Sequence, residues 1–373
     1  MEEFKKLGIK EGFIKGLNEL NIVKPTQVQQ EAIPLLLKGK TDIVAQAQTG
    51  TGKTAAYGLP LLHIIDPKKD VIQGLILCPT RELGQQVAKQ LFRFTKYTDK
   101  IFTEAVYGGA YIEKQIVALR RPTHIVVATP GRLIDLVKRK AIDLQNVKTV
   151  ILDEADEMLS MGFKSELDEI LGFLDNVDSK WLFSATIPQG IRQIVNEHMS
   201  SDAHRIEVNA KNVVNSKIHH QYVICDEAEK LHVLLQFLKS EGENRGLVFC
   251  RTKAVTQKLA KQLIAKNIAT DAIHGDLRQI ERDKVMRAFK KETLQLLVAT
   301  DLAARGIDIE GLAYVVHYQL PDKDEYYTHR SGRTARAGKE GVSLSLVTSY
   351  DMKQLRFLEK TLKISFRQIN RVG

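Results

Sequence analysis

Short apolar runs, many of them β-branched, recur along this chain at intervals long enough for a helix, and this alternation narrows the fold more than any other feature. In the first half the runs are Ile43-Val44-Ala45, Leu75-Ile76-Leu77-Cys78, Ile125-Val126-Val127-Ala128, Val150-Ile151-Leu152 and Trp181-Leu182-Phe183. In the second they are Gln221-Tyr222-Val223-Ile224, Leu247-Val248-Phe249-Cys250, Leu296-Leu297-Val298-Ala299, Val315-Val316-His317 and Leu344-Ser345-Leu346-Val347. Such runs suit strands covered on both faces, and parallel strands need crossover helices that supply the cover. Between them, Leu83, Val87, Leu91 and Phe94 recur at helical spacing after Arg81, which predicts an amphipathic helix packed on the sheet. The class expected is α/β with mostly parallel sheets. The first-half runs each end in a polar segment, and ligands of open α/β sheets gather at the carboxyl ends of strands, so one shared site above a sheet edge is expected.

A length of 373 residues exceeds one ordinary core and suits two. The periodic pattern lapses into polar residues across Asn209-Ala210-Lys211-Asn212-Val213-Val214-Asn215-Ser216-Lys217. The expected organisation is a first domain over 1–208, a linker over 209–217 and a second domain over 218–373 that repeats the architecture of the first.

Ala47-Gln48-Thr49-Gly50-Thr51-Gly52-Lys53-Thr54 follows one of the strand runs and precedes the helix-compatible Ala55-Ala56. This is the setting of a phosphate-binding loop. Glycines let the backbone N–H groups of Thr49 to Gly52 point at phosphate, the helix N-terminus adds partial positive charge, Lys53 reaches the terminal phosphates, and the Thr54 hydroxyl can hold Mg²⁺. The plain alternative is a Gly-rich turn, and the strand before and helix after favour nucleotide. Asp153-Glu154-Ala155-Asp156 follows Val150-Ile151-Leu152. Acids at the carboxyl end of a strand grip metal well, so Asp153 is expected to hold the same Mg²⁺ and Glu154 to orient or deprotonate the attacking water. Alone, this run would read as a solvated helix cap; the loop upstream makes the metal reading the stronger. The second half has no Gly-rich nucleotide loop, so it can contribute to an ATP site only from across a cleft.

The net charge of +10 and pI near 9.3 favour a polyanionic partner, because Lys and Arg gain free energy by displacing counterions from phosphates; solubility alone is the bland alternative. No apolar stretch approaches the ~18 residues of a spanning helix, and Met1-Glu2-Glu3-Phe4-Lys5-Lys6 lacks the apolar core of a signal peptide, so no membrane partner and a cytoplasmic location are expected. Cys78, Cys225 and Cys250 are widely spaced within or beside apolar runs and read as reduced core residues.

The acidic run spells the DEAD motif, and nearly the whole chain resembles the DEAD-box RNA helicases segment by segment and in order. The resemblance implies two tandem RecA-like domains, each a mostly parallel sheet flanked by helices. Pro25-Thr26-Gln27-Val28-Gln29 is similar to the adenine-reading Q motif, with Phe4 at the isolated upstream aromatic and Gln29 implied to hydrogen-bond the adenine. Pro79-Thr80-Arg81-Glu82-Leu83, Gly108-Gly109 and Thr129-Pro130-Gly131-Arg132 resemble the RNA-contacting segments of the first domain. In physical terms, Thr80 and Thr129 belong at strand-to-helix turns whose N–H groups receive phosphates, with charge from Arg81 and Arg132. Ser184-Ala185-Thr186 matches the coupling motif. In the second domain Phe249-Cys250-Arg251-Thr252, Gln279-Ile280-Glu281-Arg282 and Ala299-Thr300-Asp301-Leu302-Ala303-Ala304-Arg305-Gly306-Ile307-Asp308 resemble the RNA-gripping and ATP-sensing motifs. There Asp308 is implied to contact the ATP ribose, and Thr300 and Arg305 to face RNA or the first domain. His329-Arg330-Ser331-Gly332-Arg333-Thr334-Ala335-Arg336 resembles the arginine-finger motif, which implies coupling through His329 and aims Arg333 and Arg336 at the γ-phosphate. Two departures stand out: Asn21-Ile22 replaces the glycine and aromatic that usually begin the Q motif, and Lys339 stands where arginine is frequent.

The implied function is an RNA-stimulated ATPase that unwinds short RNA duplexes: both domains grip ATP and one RNA strand, and closure bends that strand out of a regular duplex. Backbone and 2′-OH contacts imply little sequence preference and a preference for RNA over DNA. An ATP-dependent RNA clamp or assembly scaffold without productive unwinding is the alternative, and a DNA translocase is a third reading. The core is expected to work as a monomer, with protein or ribonucleoprotein partners left open. The lack of targeting tails suggests a catalytic core of a longer protein.

Overall fold

The computed structural model describes residues 2–48, 50–174, 177–208, 217–304, 312–335 and 340–370, with Leu302 and Glu325 described by backbone alone. The chain divides into two compact units, Met1–Ala210 and Lys211–Gly373. Most of the expected linker, residues 209–216, lies outside the described residues.

Among the described residues of the first unit, seven strands form one sheet: β1 (Ile43–Gln46), β2 (Gly74–Leu77), β3 (Thr103–Val106), β4 (Ile125–Ala128), β5 (Thr149–Asp153), β6 (Ser179–Ser184) and β7 (His204–Glu207). They lie in the order β3-β4-β2-β5-β6-β1-β7 with every pairing parallel. Successive strand residues point to opposite faces. Ile43, Ala45, Ile76, Cys78, Ile151, Trp181 and Phe183 therefore enter one core, while Val44, Leu75, Leu77, Val150, Leu152 and Leu182 enter the other. Helices Gln27–Leu36, Lys53–Ile64 and Arg81–Phe94 cover the first face. Helices Pro130–Lys138, Lys164–Gly172 and Gln189–His198 cover the second. The expected stripe Leu83, Val87, Leu91 and Phe94 is buried in full, each side chain contributing roughly 1.5–3 kcal/mol.

The second unit repeats this plan with β8 (Ile218–Ile224), β9 (Gly246–Cys250), β10 (Thr270–Ile273), β11 (Leu296–Thr300), β12 (Tyr314–His317), β13 (Gly341–Val347) and β14 (Arg367–Gln368). The order β10-β11-β9-β12-β13-β8-β14 reproduces that of the first sheet strand for strand, again with parallel pairings. Val248, Cys250, Val298 and Val316 face one core and Leu247, Phe249, Leu297 and Val315 the other. The tandem α/β architecture expected from the sequence is the one observed.

All three cysteines are free and buried, and burial pushes the Cys250 thiol up to about 12, so they are core residues. Among the described residues, no helix is long and apolar enough to cross a membrane.

Candidate functional site

Parallel pairing puts all strand carboxyl ends of a unit on one edge, and the strand order sorts the segments that leave it. In the first unit the glycine loop leaves β1, Asp153 closes β5 and Ser184 closes β6, three adjacent strands. The segments Pro79 to Arg81, Gly108 to Gly109 and Thr129 to Arg132 leave β2, β3 and β4, three adjacent strands on the other side of β5. Candidate nucleotide and RNA residues thus occupy the two halves of one edge.

On the nucleotide half, Gly52 caps the helix Lys53–Ile64 at φ 88°, a left-handed conformation that glycine adopts without steric cost. Its carbonyl accepts from Gln29 Nε2 at 3.0 Å, while Gln29 Oε1 accepts from the backbone N–H of Thr26 at 3.0 Å. A Cβ on Gly52 would stand 2.4 Å from Gln29 Nε2. Gln29 thus locks the Q motif to the glycine loop, and its amide keeps a second N–H and a second lone pair for an adenine. Asn21 takes φ 55°, a conformation asparagine tolerates better than most residues, so the turn survives the loss of the usual glycine. Ile22 packs against the neighbouring core, and Phe4 is wholly buried in that core. Phe4, which the resemblance groups with the nucleotide-binding residues, is enclosed in this structure and anchors the core.

Lys53 is buried and its Nζ donates to the carbonyl of Ala47 at 2.9 Å, while Thr51 Oγ1 donates to the Gln48 carbonyl at 2.7 Å. Gly50 is also left-handed, at φ 80°, and Thr49 lies outside the described residues. Asp153 is 2% exposed; its carboxylate accepts from Tyr57 Oη at 2.8 Å and from the Glu154 N–H at 3.0 Å. Burial holds this carboxyl above the ordinary carboxylate range, although the charge of Lys53 and the two hydrogen bonds pull it down. Burial and the charge of Asp153 raise the Tyr57 phenol well above its ordinary range, and a hydrogen bond with Thr54 opposes this. Thr54, Tyr57 and Asp153 are therefore one connected group. A desolvated carboxylate joined to a threonine hydroxyl is an oxygen set that fits a hard divalent cation. Glu154 caps the helix Ala155–Ser160 at φ 50°, a left-handed conformation rare for glutamate and a form of local strain found at functional sites.

On the other half, the Thr80 hydroxyl caps the helix Arg81–Phe94 by accepting from the Leu83 N–H at 3.3 Å, and Pro79 is buried. The Arg81 guanidinium lies 4.7 Å from the Tyr107 ring centroid. Thr129 Oγ1 accepts from the Gly108 N–H at 3.3 Å, and Gly108 and Gly109 are exposed. Pro130 opens the helix Pro130–Lys138, with Gly131 next to it. Arg132 spends its fork inside the protein, donating to Ala110 O at 2.9 Å and Gln115 Oε1 at 2.7 Å. It braces the Gly108–Gly109 loop.

Asp156 ties the acidic run after β5 to the loop that leaves β6. Its carboxylate accepts from the N–H and hydroxyl of Thr186 at 2.9 and 2.8 Å, its own N–H donates to Ser184 Oγ at 3.1 Å, and Ser184 Oγ donates to Thr186 O at 2.7 Å.

In the second unit the matching edge carries Arg251 and Thr252 after β9, Gln279 and Arg282 on the helix Gln279–Lys290 after β10, and Thr300 at the end of β11. Thr252 caps its helix, Arg251 Nε donates to Leu320 O at 2.6 Å, Gln279 Nε2 to Asp283 Oδ1 at 2.7 Å, and an Arg282 terminal N–H to Ala303 O at 2.7 Å. His329 sits in the helix Asp324–Ser331 and Arg333 just past its end. Arg305, Asp308, Arg336 and Lys339 lie outside the described residues.

Residues 26–194 match the DEAD/DEAH box helicase family and residues 229–338 the helicase conserved C-terminal domain. A DEAD-box ATP-dependent RNA helicase CshA of Bacillus cereus is 43% identical over 97% of this chain and 69% of its own length. The chain belongs to the DEAD-box helicase family. The Listeria monocytogenes ATP-dependent RNA helicase CshA is 42% identical over 97% of the chain and 69% of its own length. Among solved structures, S. cerevisiae Dbp5 bound to RNA and ADP BeF3 superposes with a TM-score of 0.91 at 30% identity, covering 99% of this chain and 96% of that one. Mss116p bound to ssRNA and AMP-PNP gives 0.88 at 27% identity, covering 98% and 78%.

Two side chains of this DEAD-box helicase escaped the sequence reading. Tyr57 lies one helical turn past Thr54, and a hydroxyl-bearing ring in an otherwise apolar helix was its only signal. Arg330, 2% exposed, pairs with Asp301 at 2.5 and 2.7 Å, donates to Gln319 O at 2.8 Å and lies 5.0 Å from the Phe249 ring centroid. It ties the helix before Arg333 to the residue that follows β11, and its place inside the finger motif, between His329 and Arg333, hid a role that depends on partners distant in sequence.

Proposed function

We propose that this chain is an ATP-dependent RNA helicase in which closure of its two units on ATP and a single RNA strand displaces the opposing strand of a short duplex. The observation that carries the reading is the shared carboxyl edge of the first sheet, with a phosphate loop and a buried carboxylate on one half, RNA-type turns on the other, and the acidic run fastened through Asp156 to the loop after β6. The names of the relatives and the RNA-bound and nucleotide-bound neighbours support it.

Gln29 reads the adenine, the backbone of Thr49 to Gly52 and Lys53 take the phosphates, and Asp308 of the second unit takes the ribose. Thr54 and Asp153 hold Mg²⁺, which neutralises phosphate charge. Glu154 orients the attacking water and accepts its proton. Arg333 and Arg336 reach the γ-phosphate only on closure. Pro79, Thr80, Arg81, Gly109 and the Thr129 to Arg132 turn hold RNA from the first unit. Arg251, Thr252, Gln279, Arg282, Thr300 and Arg305 hold it from the second, and His329 joins Ser184 and Thr186 in coupling. A strand gripped from both sides is bent, which a regular duplex does not allow.

The test is displacement of a short labelled RNA duplex by the full chain. ATP-dependent strand release, ATPase stimulation greater by single-stranded RNA than by DNA, and loss of both in Lys53→Ala are expected. RNA-stimulated ATPase without strand release would refute unwinding, and equal stimulation by DNA would refute the RNA assignment.

A further inference from the structure

Tyr111 is 76% exposed and sits on the carboxyl edge of the first sheet, in the loop that leaves the edge strand β3 beside Gly108 and Gly109. The loop that leads to it is held by side-chain bonds. The Gln115 side chain accepts from the Tyr107 N–H at 3.3 Å and donates to Tyr107 O at 3.2 Å, and Arg132 bonds both Gln115 and Ala110 O. The Gly108 N–H is bonded to Thr129. This is a rigid mount, and rigidity is what a contact made at little entropic cost requires.

Tyr111 also occupies the N-cap of the helix Ile112–Leu119, at φ −62° and ψ 118°, and makes no capping hydrogen bond. Ser, Thr, Asp or Asn there would satisfy a helix N–H, which a tyrosine cannot. The position thus holds an exposed ring at the expense of helix stability. Lys114 Nζ lies 5.7 Å from the ring centroid, a cation placed to accompany the phosphate of whatever lies on the ring. The Arg81–Tyr107 pair lies in the same loop region.

We propose that Tyr111 is a stacking platform for one base of the bound RNA strand, with Lys114 beside its phosphate. The inference rests on the RNA reading above and adds to it a contact with a base. Every base presents a π-face, so such a platform strengthens binding while leaving sequence preference weak.

The experiment compares wild type, Tyr111→Ser and Tyr111→Phe by fluorescence anisotropy, using the full chain with a non-hydrolysable ATP analogue. The probes are a labelled adenosine oligoribonucleotide and a ribose-phosphate oligomer of equal length that lacks bases. Tyr111→Ser should bind the first about fivefold or more weakly, while Tyr111→Phe, which keeps the ring, should match wild type. Serine restores a helix cap, so thermal stability should hold or rise and cannot account for the loss. On the baseless oligomer all three should bind alike. Unchanged affinity of Tyr111→Ser for the base-bearing strand, or an equal loss on both probes, would overturn the platform while leaving the RNA reading intact. Failure of wild type to bind either oligomer would remove the RNA reading itself.

Discussion

One carboxylate oxygen of Asp156 accepts from both the backbone N–H and the hydroxyl of Thr186, thirty positions further along the chain, at 2.9 and 2.8 Å. The other oxygen caps the next turn through the Glu157 N–H at 3.1 Å. The acidic run that closes β5 is therefore fastened to the loop that leaves β6. A change at the phosphate side of the edge has a bonded route to its neighbour.

Replacing Ser184 and Thr186 together by Ala removes the hydroxyls of this link and leaves Lys53, Asp153 and Glu154 in place. Unwinding should fall more than ATP hydrolysis, with strands released per ATP reduced about tenfold or more, the scale of a hydrogen bond to a charged group. Parallel ATPase and displacement assays measure the ratio. Equal losses would mean that the two residues only support the metal site.

Tyr57→Phe removes the hydroxyl donor to Asp153 while preserving the packing of the ring. A buried carboxylate short of one hydrogen bond should cost about 1–3 kcal/mol in urea unfolding. Since the Tyr57 hydrogen bond lowers the Asp153 carboxyl, its loss raises the carboxyl further, and the acid limb of the ATPase pH profile should move to higher pH. An unmoved limb would show that Asp153 is not the group titrating there.

How much of this was legible in the sequence depended on where each residue finds its partners. Every strand expected from an apolar run lies inside a sheet, whereas β3, β7, β10 and β14, which no run announced, are the four sheet edges. Edge strands are covered less completely: β7 is exposed at three of its four positions, so polar residues such as His204 and Arg205 serve there. The glycine loop and the acidic run were readable because their chemistry is contiguous. Arg132 was legible as a cation on the RNA side but not as a brace, since its acceptors Ala110 and Gln115 lie in the preceding loop and helix.

His220 provides a pH signature for the second unit. Burial, aided by the charge of His219, lowers its imidazole from 6.5 to about 4, and its Nδ1 is 2.7 Å from Tyr327 Oη. Between pH 6.5 and about 4 the unfolded chain binds a proton that the folded imidazole refuses, so stability falls as pH drops through this window. The full penalty, roughly 3 kcal/mol, is reached below the folded value. His220→Asn, which cannot titrate, should flatten the fall in urea midpoint between neutral and acid pH relative to wild type. Identical slopes would exclude His220 as its source.

The central claim is that hydrolysis needs a site completed by the second unit, and the most direct test is Arg336→Ala in the full chain, with ATP affinity and RNA-stimulated turnover measured side by side. Without RNA the variant should bind ATP nearly as wild type does, because Gln29, Lys53 and the glycine-loop backbone all belong to the first unit. With RNA its turnover should fall by about 10³–10⁵-fold, the range attributed to arginine fingers in related phosphoryl transfer. Full RNA stimulation in Arg336→Ala, repeated in Arg333→Ala, would contradict the closure account and leave the second unit with some task other than completing the ATP site.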